Sequence, residues 1–282
     1  MAEPIPIFEK EYYDRLKLIE GRHWWTLGMT DIMSRLLGTD DTDRALTFLD
    51  IGCGSGIGLA WAAEHLPRAA RIGIDVSEHA LEHCRKLGAE LHLASAEALP
   101  LADASVDLAI CIDVLQHLPS DGRALAEAFR VLKPGGRFYV RTNARSFAPP
   151  PPGSRLYTVS GLRRSLETAG LQIEHCSRVN FVGSLFAEAS SIRNRRSDTH
   201  GHGHGHGHGH GHGHGHGHGQ EQVDEGPFKG GGYGGGLRIT AEQGTSVFSR
   251  FKRALLRGEG ELIARGAQLP FGHSIIALAK KG

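Results

Sequence analysis

Long apolar runs are missing from this chain. No stretch approaches the roughly 18–20 residues that a membrane span needs, which argues against an integral membrane segment. An excess of charge is missing too. The 32 Lys and Arg stand against 31 Asp and Glu, a formal net charge of +1. That balance offers no electrostatic signature of a nucleic-acid partner. Cysteine is scarce: Cys53, Cys84, Cys111 and Cys176 lie far apart, with no Cys-x-x-Cys among them. Such spacing fits four buried thiols in a reducing cytoplasm better than a disulfide frame or a zinc site. Met1 to Lys10 holds two prolines and several charges but no apolar core, so no secretory signal is read there and the expected location is cytoplasmic. What remains is an ordinary apolar fraction in 282 residues, enough for one large domain or two small ones.

The chain opens on two helical patterns, Glu9–Leu18 and Trp24–Leu37, parted by Gly21 and ended at Gly38. Strands and helices then alternate, as in a parallel sheet covered on both faces. Strands are expected at Leu46–Ile51, Arg71–Ile74, Glu90–Leu93, Val106–Ile112, Arg137–Thr142 and Leu171–Cys176. Between them fall helices at Ile57–Leu66, after Ser77 as N-cap, through Leu125, Ala128, Phe129 and Leu132, and at Ser160–Ala169. Lys133-Pro134-Gly135-Gly136 reads as a stop and turn, and Pro149–Pro152 as a stiff loop. Asp103 and Asp107 are expected in turns or caps.

From about Asn194 to Gly236 the pattern fails. His200 to Gly219 alternates ten histidines with ten glycines. Glycine at every second position is costly to order and nothing apolar offsets it, so a disordered insert is expected. Its imidazoles could gather a zinc, nickel or copper ion, or the repeat could be a tolerated surface expansion. Helical periodicity returns at Val247, Phe248, Phe251, Ala254 and Leu255. Arg193, Arg195, Arg196, Arg250, Lys252, Arg253 and Arg257 flank the insert. They suit a helix docked on the core with a solvated basic face, or one lying on an anionic membrane. A last strand is expected at Ser274–Ala279.

The densest signal is Leu49-Asp50-Ile51-Gly52-Cys53-Gly54-Ser55-Gly56, between the first strand and its helix. Glycines at alternate positions let backbone approach a ligand where a Cβ would clash. The helix that follows offers free N–H groups to an anion. Ile57 stands where a dinucleotide fingerprint would place its third glycine. Asp50-x-Gly52-x-Gly54-x-Gly56 instead resembles the first motif of the class I S-adenosylmethionine-dependent methyltransferases, in their type 11-like form. Asp75, followed by Val76, ends the second strand about 20 residues on, where an acid can accept both ribose hydroxyls. Its bland alternative is a cap on the helix begun by Ser77.

Further segments carry the resemblance. Leu93 to Pro100 is similar to the family's adenine segment, with Ser95 where an aspartate is usual and Ala96 and Glu97 in pattern. Ile112-Asp113-Val114-Leu115-Gln116-His117 resembles the segment that ends in Glu-His, with Gln116 replacing the glutamate. His117 is the candidate general base; its alternative is packing beside the cofactor. Only Asp113 and His117 remain of a metal-binding variant of this segment, so no catalytic metal is expected. Glu20-Gly21-Arg22-His23-Trp24-Trp25 looks like the entry segment of a bacterial subgroup of the same superfamily. Its indoles could cover the ligand or simply pack against the sheet.

The resemblance implies an α/β, Rossmann-like sheet of six parallel strands plus an antiparallel seventh beside the fifth. An N-terminal helical lid would occupy 1–44 and the methyltransferase domain 45–282. It implies methyl transfer from S-adenosyl-L-methionine to a small molecule. Asp50, Gly52, Cys53, Gly54, Gly56, Asp75, Val76, Ser95, Ala96, Glu97 and Ile112 would bind the cofactor, and His117 would be catalytic. The alternative function is metal binding or sensing by the His200–His218 repeat on such a scaffold.

Overall fold

A computed structural model describes residues 9–38, 45–145, 155–181, 183–184 and 247–282. The expected insert at about 194–236, its His/Gly repeat, the Pro149–Pro152 loop and Arg193, Arg195 and Arg196 lie outside the described residues. The elements in order are α1 (Lys10–Glu20), α2 (Trp24–Leu37), β1 (Thr47–Ile51), α3 (Ile57–His65), β2 (Ala70–Asp75), α4 (Glu78–Cys84) and β3 (Glu90–Leu93). There follow β4 (Val106–Ile112), α5 (Asp121–Val131), β5 (Leu132–Asn143), α6 (Val159–Thr168), β6 (Leu171–Val179), α7 (Val247–Ala264) and β7 (Ser274–Lys281).

The strands form one sheet in the order β3-β2-β1-β4-β5-β7-β6. The pairs β1–β2, β1–β4, β2–β3 and β4–β5 are parallel, and β7 runs antiparallel between β5 and β6. This is the expected sheet of six parallel strands and an antiparallel seventh. Its central strands are apolar on both sides because both faces are covered. Phe48, Ile110, Tyr139 and Ile276 pack on the layer of α2, α3 and α7. Their neighbours Leu49, Ala109, Phe138 and Ile275 pack on α5 and α6. Helix α7 docks on α2, where Gly28 makes room for Leu256 and Arg253 grips Asp31 at 2.7 and 2.8 Å. The docked reading of the basic helix is therefore the observed one. No described helix is long and apolar enough to cross a membrane.

Two local expectations need correction, and a third, Ser77 as N-cap, holds in position though not through its side chain. Lys133–Gly136 does not separate α5 from its strand, because β5 already begins at Leu132. Pairing with β4 jumps from Val106↔Leu132 to Leu108↔Arg137, so the turn residues bulge within the strand's own entry. Asp107 is no turn residue: it lies in β4, where its carboxylate accepts from the Thr47 N–H (2.9 Å) and Lys133 Nζ (2.6 Å). It thereby ties three chain segments at the sheet's amino edge. Ser77 sits at the N-cap of α4, but its side chain makes no capping bond. Asp75 Oδ1 accepts the Ser77 N–H instead, at 3.0 Å.

Candidate active site

The strand order reverses between β1 and β4, and in such sheets the crevice at the carboxyl ends of those strands is where ligands bind. A cavity of about 300 Å³ opens there. The loop after β1 forms its floor. Gly52 (φ 74°), Gly54 (φ 51°) and Gly56 (φ 89°) are all left-handed. At Gly52 a Cβ would also collide with Val114, so both space and conformation demand glycine. The Gly52 and Cys53 N–H groups both donate to the Ile74 carbonyl, at 2.7 and 2.9 Å, which sews the loop to β2.

Asp75 at the tip of β2 faces this loop. Its Oδ2 accepts the Gly54 N–H at 2.9 Å. Burial pushes its carboxyl above the usual range, against the pull of those backbone donors. Asp50 is buried beneath the loop, where a Cβ on Gly58 would strike its carboxylate. Burial and the neighbouring Asp75 push it up to about 7. Val76, Ser95, Ala96, Glu97, Ile112 and His117 also line the cavity, so all the residues expected at the site except Gly56 border it. Gly56 turns away under Leu87 and Cys84, at the start of α3. Cys53 Sγ lies 3.8 Å from Cys84 Sγ, and all four cysteines are buried and unpaired.

Some of these side chains have second duties. Ser95 Oγ accepts the Glu97 N–H at 3.1 Å, and Glu97 Oε1 accepts the Ser120 N–H at 3.0 Å, which fastens the loop between β3 and β4 to the start of α5. Gln116 does not border the cavity. It is buried and accepts from the Thr142 hydroxyl at 2.8 Å. His117 is half-buried with its ring at the cavity wall. Burial lowers its pKa and Asp113 partly restores it.

The cover over the cleft comes from the first helix, of whose lining residues only Glu20 falls in a segment singled out from the sequence. Tyr12, Tyr13, Leu16 and Glu20, all on α1, line the cavity. The two tyrosines meet edge to face, with ring centroids 5.2 Å apart. Lys17 Nζ donates to the Ser55 carbonyl at 2.8 Å, and the Ser55 hydroxyl donates to Glu20. Helix α1 is thus latched to the glycine loop. Of the two readings of the indoles, packing is the one observed: Trp24 and Trp25 are buried in the core beside α7. Trp25 lies under the Arg141 guanidinium, 4.7 Å from its ring centre. Arg141 reaches the cavity from β5 and binds Asp113 (Nη2–Oδ2 2.5 Å). The tandem Tyr12-Tyr13 on the helix ending at Glu20 was the available signal for this cover.

Residues 49–140 match the family model described as "Methyltransferase domain". A probable S-adenosylmethionine-dependent methyltransferase of Mycolicibacterium smegmatis is 36% identical over 149 residues, 50% of this chain and 57% of the relative. A ubiquinone biosynthesis O-methyltransferase of Methylococcus capsulatus is 36% identical over 107 residues, 35% of this chain and 44% of the relative. The chain spans about half the length of these curated relatives. Among solved structures, the [4+2]-cyclase SpnF superposes with a TM-score of 0.51 at 18% identity, over 99% of both chains. That likeness concerns the fold alone, and that protein is named as a cyclase, so architecture by itself does not specify the reaction. The matched segment runs from within β1 into β5 and contains the glycine loop, Asp75 and the β3–β4 loop; over these residues the chain is similar to S-adenosylmethionine-dependent methyltransferases.

Proposed function

We propose that this protein transfers a methyl group from S-adenosylmethionine to a small-molecule acceptor in the cavity at the β1–β4 edge. The observation that carries the reading is the hydrogen bond between Asp75 and the Gly54 N–H, which unites the β2 carboxylate with the glycine loop. The donor set fits the cofactor. Glu20, Asp50, Asp75, Glu97 and Asp113 all border the space, a surplus of carboxyl groups that suits a cationic ligand. The Gly52 cradle is one that a Cβ would fill.

Bound there, S-adenosylmethionine would supply an electrophilic methyl carbon on a positively charged sulfur. The residues of the chain position and protect it. Asp50, Gly52, Cys53 and Gly54 form the methionyl seat, and Gly56 turns the loop behind it into α3. Asp75, beside Val76, accepts from the ribose hydroxyls. Ser95, Ala96 and Glu97 edge the adenine, and Ile112 adds an apolar wall. Tyr12, Tyr13 and Leu16 exclude water from above. On this reading α1 is the working part of a helical lid in residues 1–44, and 45–282 forms the catalytic domain. The buried, unpaired thiols support a cytoplasmic setting.

His117 is the general base for an oxygen or nitrogen acceptor. Its lowered pKa keeps the ring neutral near pH 7, the form that takes a proton. Replacing it (H117N) should lower kcat by about 10²–10⁴-fold with little change in KM for the cofactor. A kcat within twofold of wild type would remove it from the chemistry. The name of the Methylococcus relative, an O-methyltransferase, makes an oxygen acceptor the first class to try. The test of the whole reading is calorimetry with S-adenosylmethionine and S-adenosylhomocysteine, then an acceptor screen read by S-adenosylhomocysteine release. Failure of both ligands to bind at millimolar concentration would refute it.

The His/Gly alternation supports a second reading, metal binding or sensing by residues 200–219. Deleting 200–219 should leave cofactor affinity and turnover intact while abolishing retention of nickel or zinc. Loss of turnover on deletion would favour the metal-dependent role instead.

A further inference from the structure

We propose that a narrow slot behind the cofactor cavity, between α2 and β5, seats the carboxylate of the methyl donor's amino-acid head, with Thr26 and Tyr139 as the residues that select for it. The inference rests on the cofactor reading above and deepens it.

The glycine loop has few donors left for an anion. The Gly52 and Cys53 N–H groups go to the Ile74 carbonyl, that of Gly54 to Asp75 and that of Gly56 to the Cys53 carbonyl. The wall around the loop is acidic, with Glu20, Asp50, Asp75, Glu97 and Asp113. Such a wall suits a sulfonium and an ammonium, but S-adenosylmethionine also carries a carboxylate. That group needs hydrogen-bond donors when it leaves water.

The slot supplies them. It holds about 10 Å³, room for one oxygen-sized group. It continues the cofactor cavity inward, since Glu20, Ile57, Gly58 and Arg141 border both spaces. Thr26 from α2 and Tyr139 from β5 border the slot alone. They are 3% and 0% exposed, and neither hydroxyl has a partner among the described residues. A buried hydroxyl without a partner is costly, and two on one small cavity point to a ligand group that uses both. The charges of Arg141 and Asp113 act on the Tyr139 phenol, as expected of a hydroxyl turned to the cavity end of β5. Burial raises that phenol above its usual range, so it keeps its proton and remains a donor.

The border of the slot matches the rest of the head group. Arg141 brings positive charge there while it grips Asp113. The first turn of α3, at Ile57 and Gly58, presents the positive end of a nine-residue helix. Glu20 at the same border is ill suited to a carboxylate and well suited to the ammonium one carbon away. An acid on one side, with a guanidinium and two hydroxyls on the other, complements an α-amino acid zwitterion.

The experiment is calorimetry of the full chain with S-adenosylmethionine and with its decarboxylated analogue. The analogue keeps the sulfonium and the ammonium and lacks only the carboxylate. The wild type should bind S-adenosylmethionine at least about tenfold more tightly, given what hydrogen bonds to a charged group contribute. In Tyr139→Phe and in Thr26→Val that preference should shrink severalfold, while affinity for the analogue stays within about twofold of wild type. The double variant should lose most of the preference. Neither hydroxyl has a partner in the chain, so its removal breaks no internal bond and the variants should fold. A preference undiminished in both variants overturns the proposal. So does an equal loss for both ligands, the result expected if the slot holds only a bridging water. If one variant fails to fold, the other decides. Wild-type binding of both ligands without preference overturns the subsite alone. If neither ligand binds the wild type, the cofactor reading itself fails and the subsite falls with it.

Discussion

Asp75→Ala should weaken S-adenosylmethionine binding by at least about a hundredfold. Two losses combine. On the proposed reading the ribose hydroxyls lose a charged acceptor, and hydrogen bonds to charged groups are worth roughly 1.5–3 kcal/mol each. The Gly54 N–H loses its partner as well, and with it the bond that sets the glycine loop against β2. The Ser77 N–H at the head of α4 is orphaned at the same time. Calorimetry and thermal denaturation separate the two parts. Asp75→Asn keeps the shape and one acceptor oxygen, so it should retain most of the stability but only part of the affinity. A variant that binds as tightly as wild type would show that this carboxylate serves only the loop. The pH trend follows the direction of its shift. Because burial raises the Asp75 pKa, the group protonates earlier than a free aspartate as pH falls, so its contribution to affinity should disappear at a higher pH than usual.

The second large effect concerns stability. Arg141→Met should lower the melting temperature by on the order of 10 °C, given about 3–5 kcal/mol for stripping one partner from a buried ion pair and roughly 2–4 °C per kcal/mol in a protein of this size. The guanidinium is 9% exposed and the Asp113 carboxylate 17%, so the aspartate left behind would be poorly hydrated. Asp113 is also held at φ 57°, a conformation that non-glycine residues adopt rarely. Its N–H donates to the Arg141 carbonyl at 2.9 Å. Arginine further covers the Trp25 face, a contact methionine reproduces only as packing. The double variant Asp113→Asn with Arg141→Met should recover part of the loss, since it leaves no unpaired charge. A single-variant melting temperature within about 2 °C of wild type would mean that water reaches the pair freely.

The strands and the glycine loop could be read directly because their determinants are local. Continuous apolar runs marked β1 and β4, and Asp50 to Gly56 carries its own conformational demands in consecutive residues. Asp75 was legible through its distance along the chain from that loop. The cover and the charge arrangement were not. Tyr12, Glu20 and Arg141 come from α1 and β5, and nothing in their spacing says that they meet over one cavity. Trp24 and Trp25 drew attention by residue type, yet the buried stripe of α2 claimed them. Asp107 deceived for a similar reason. Aspartate favours turns, but here a backbone N–H from β1 and a lysine from β5 met it inside a strand. The resemblance points Ser95 and Glu97 to the adenine, whereas the bonds that the structure shows them making brace the loop before α5.

The position of β7 bears on how the chain emerges from the ribosome. Strand β6 has β7 as its sheet neighbour, and β7 separates it from β5 throughout. Strands β1 to β5 can therefore pair as they are synthesised, whereas residues 171–179 have no edge to join until residues 274–281 have been made. Throughout translation of 180–273 the flank of β5 stays open, a template for unwanted pairing with other nascent chains. Chaperone demand during synthesis should peak in that interval and end when Ser274–Lys281 slides into the gap.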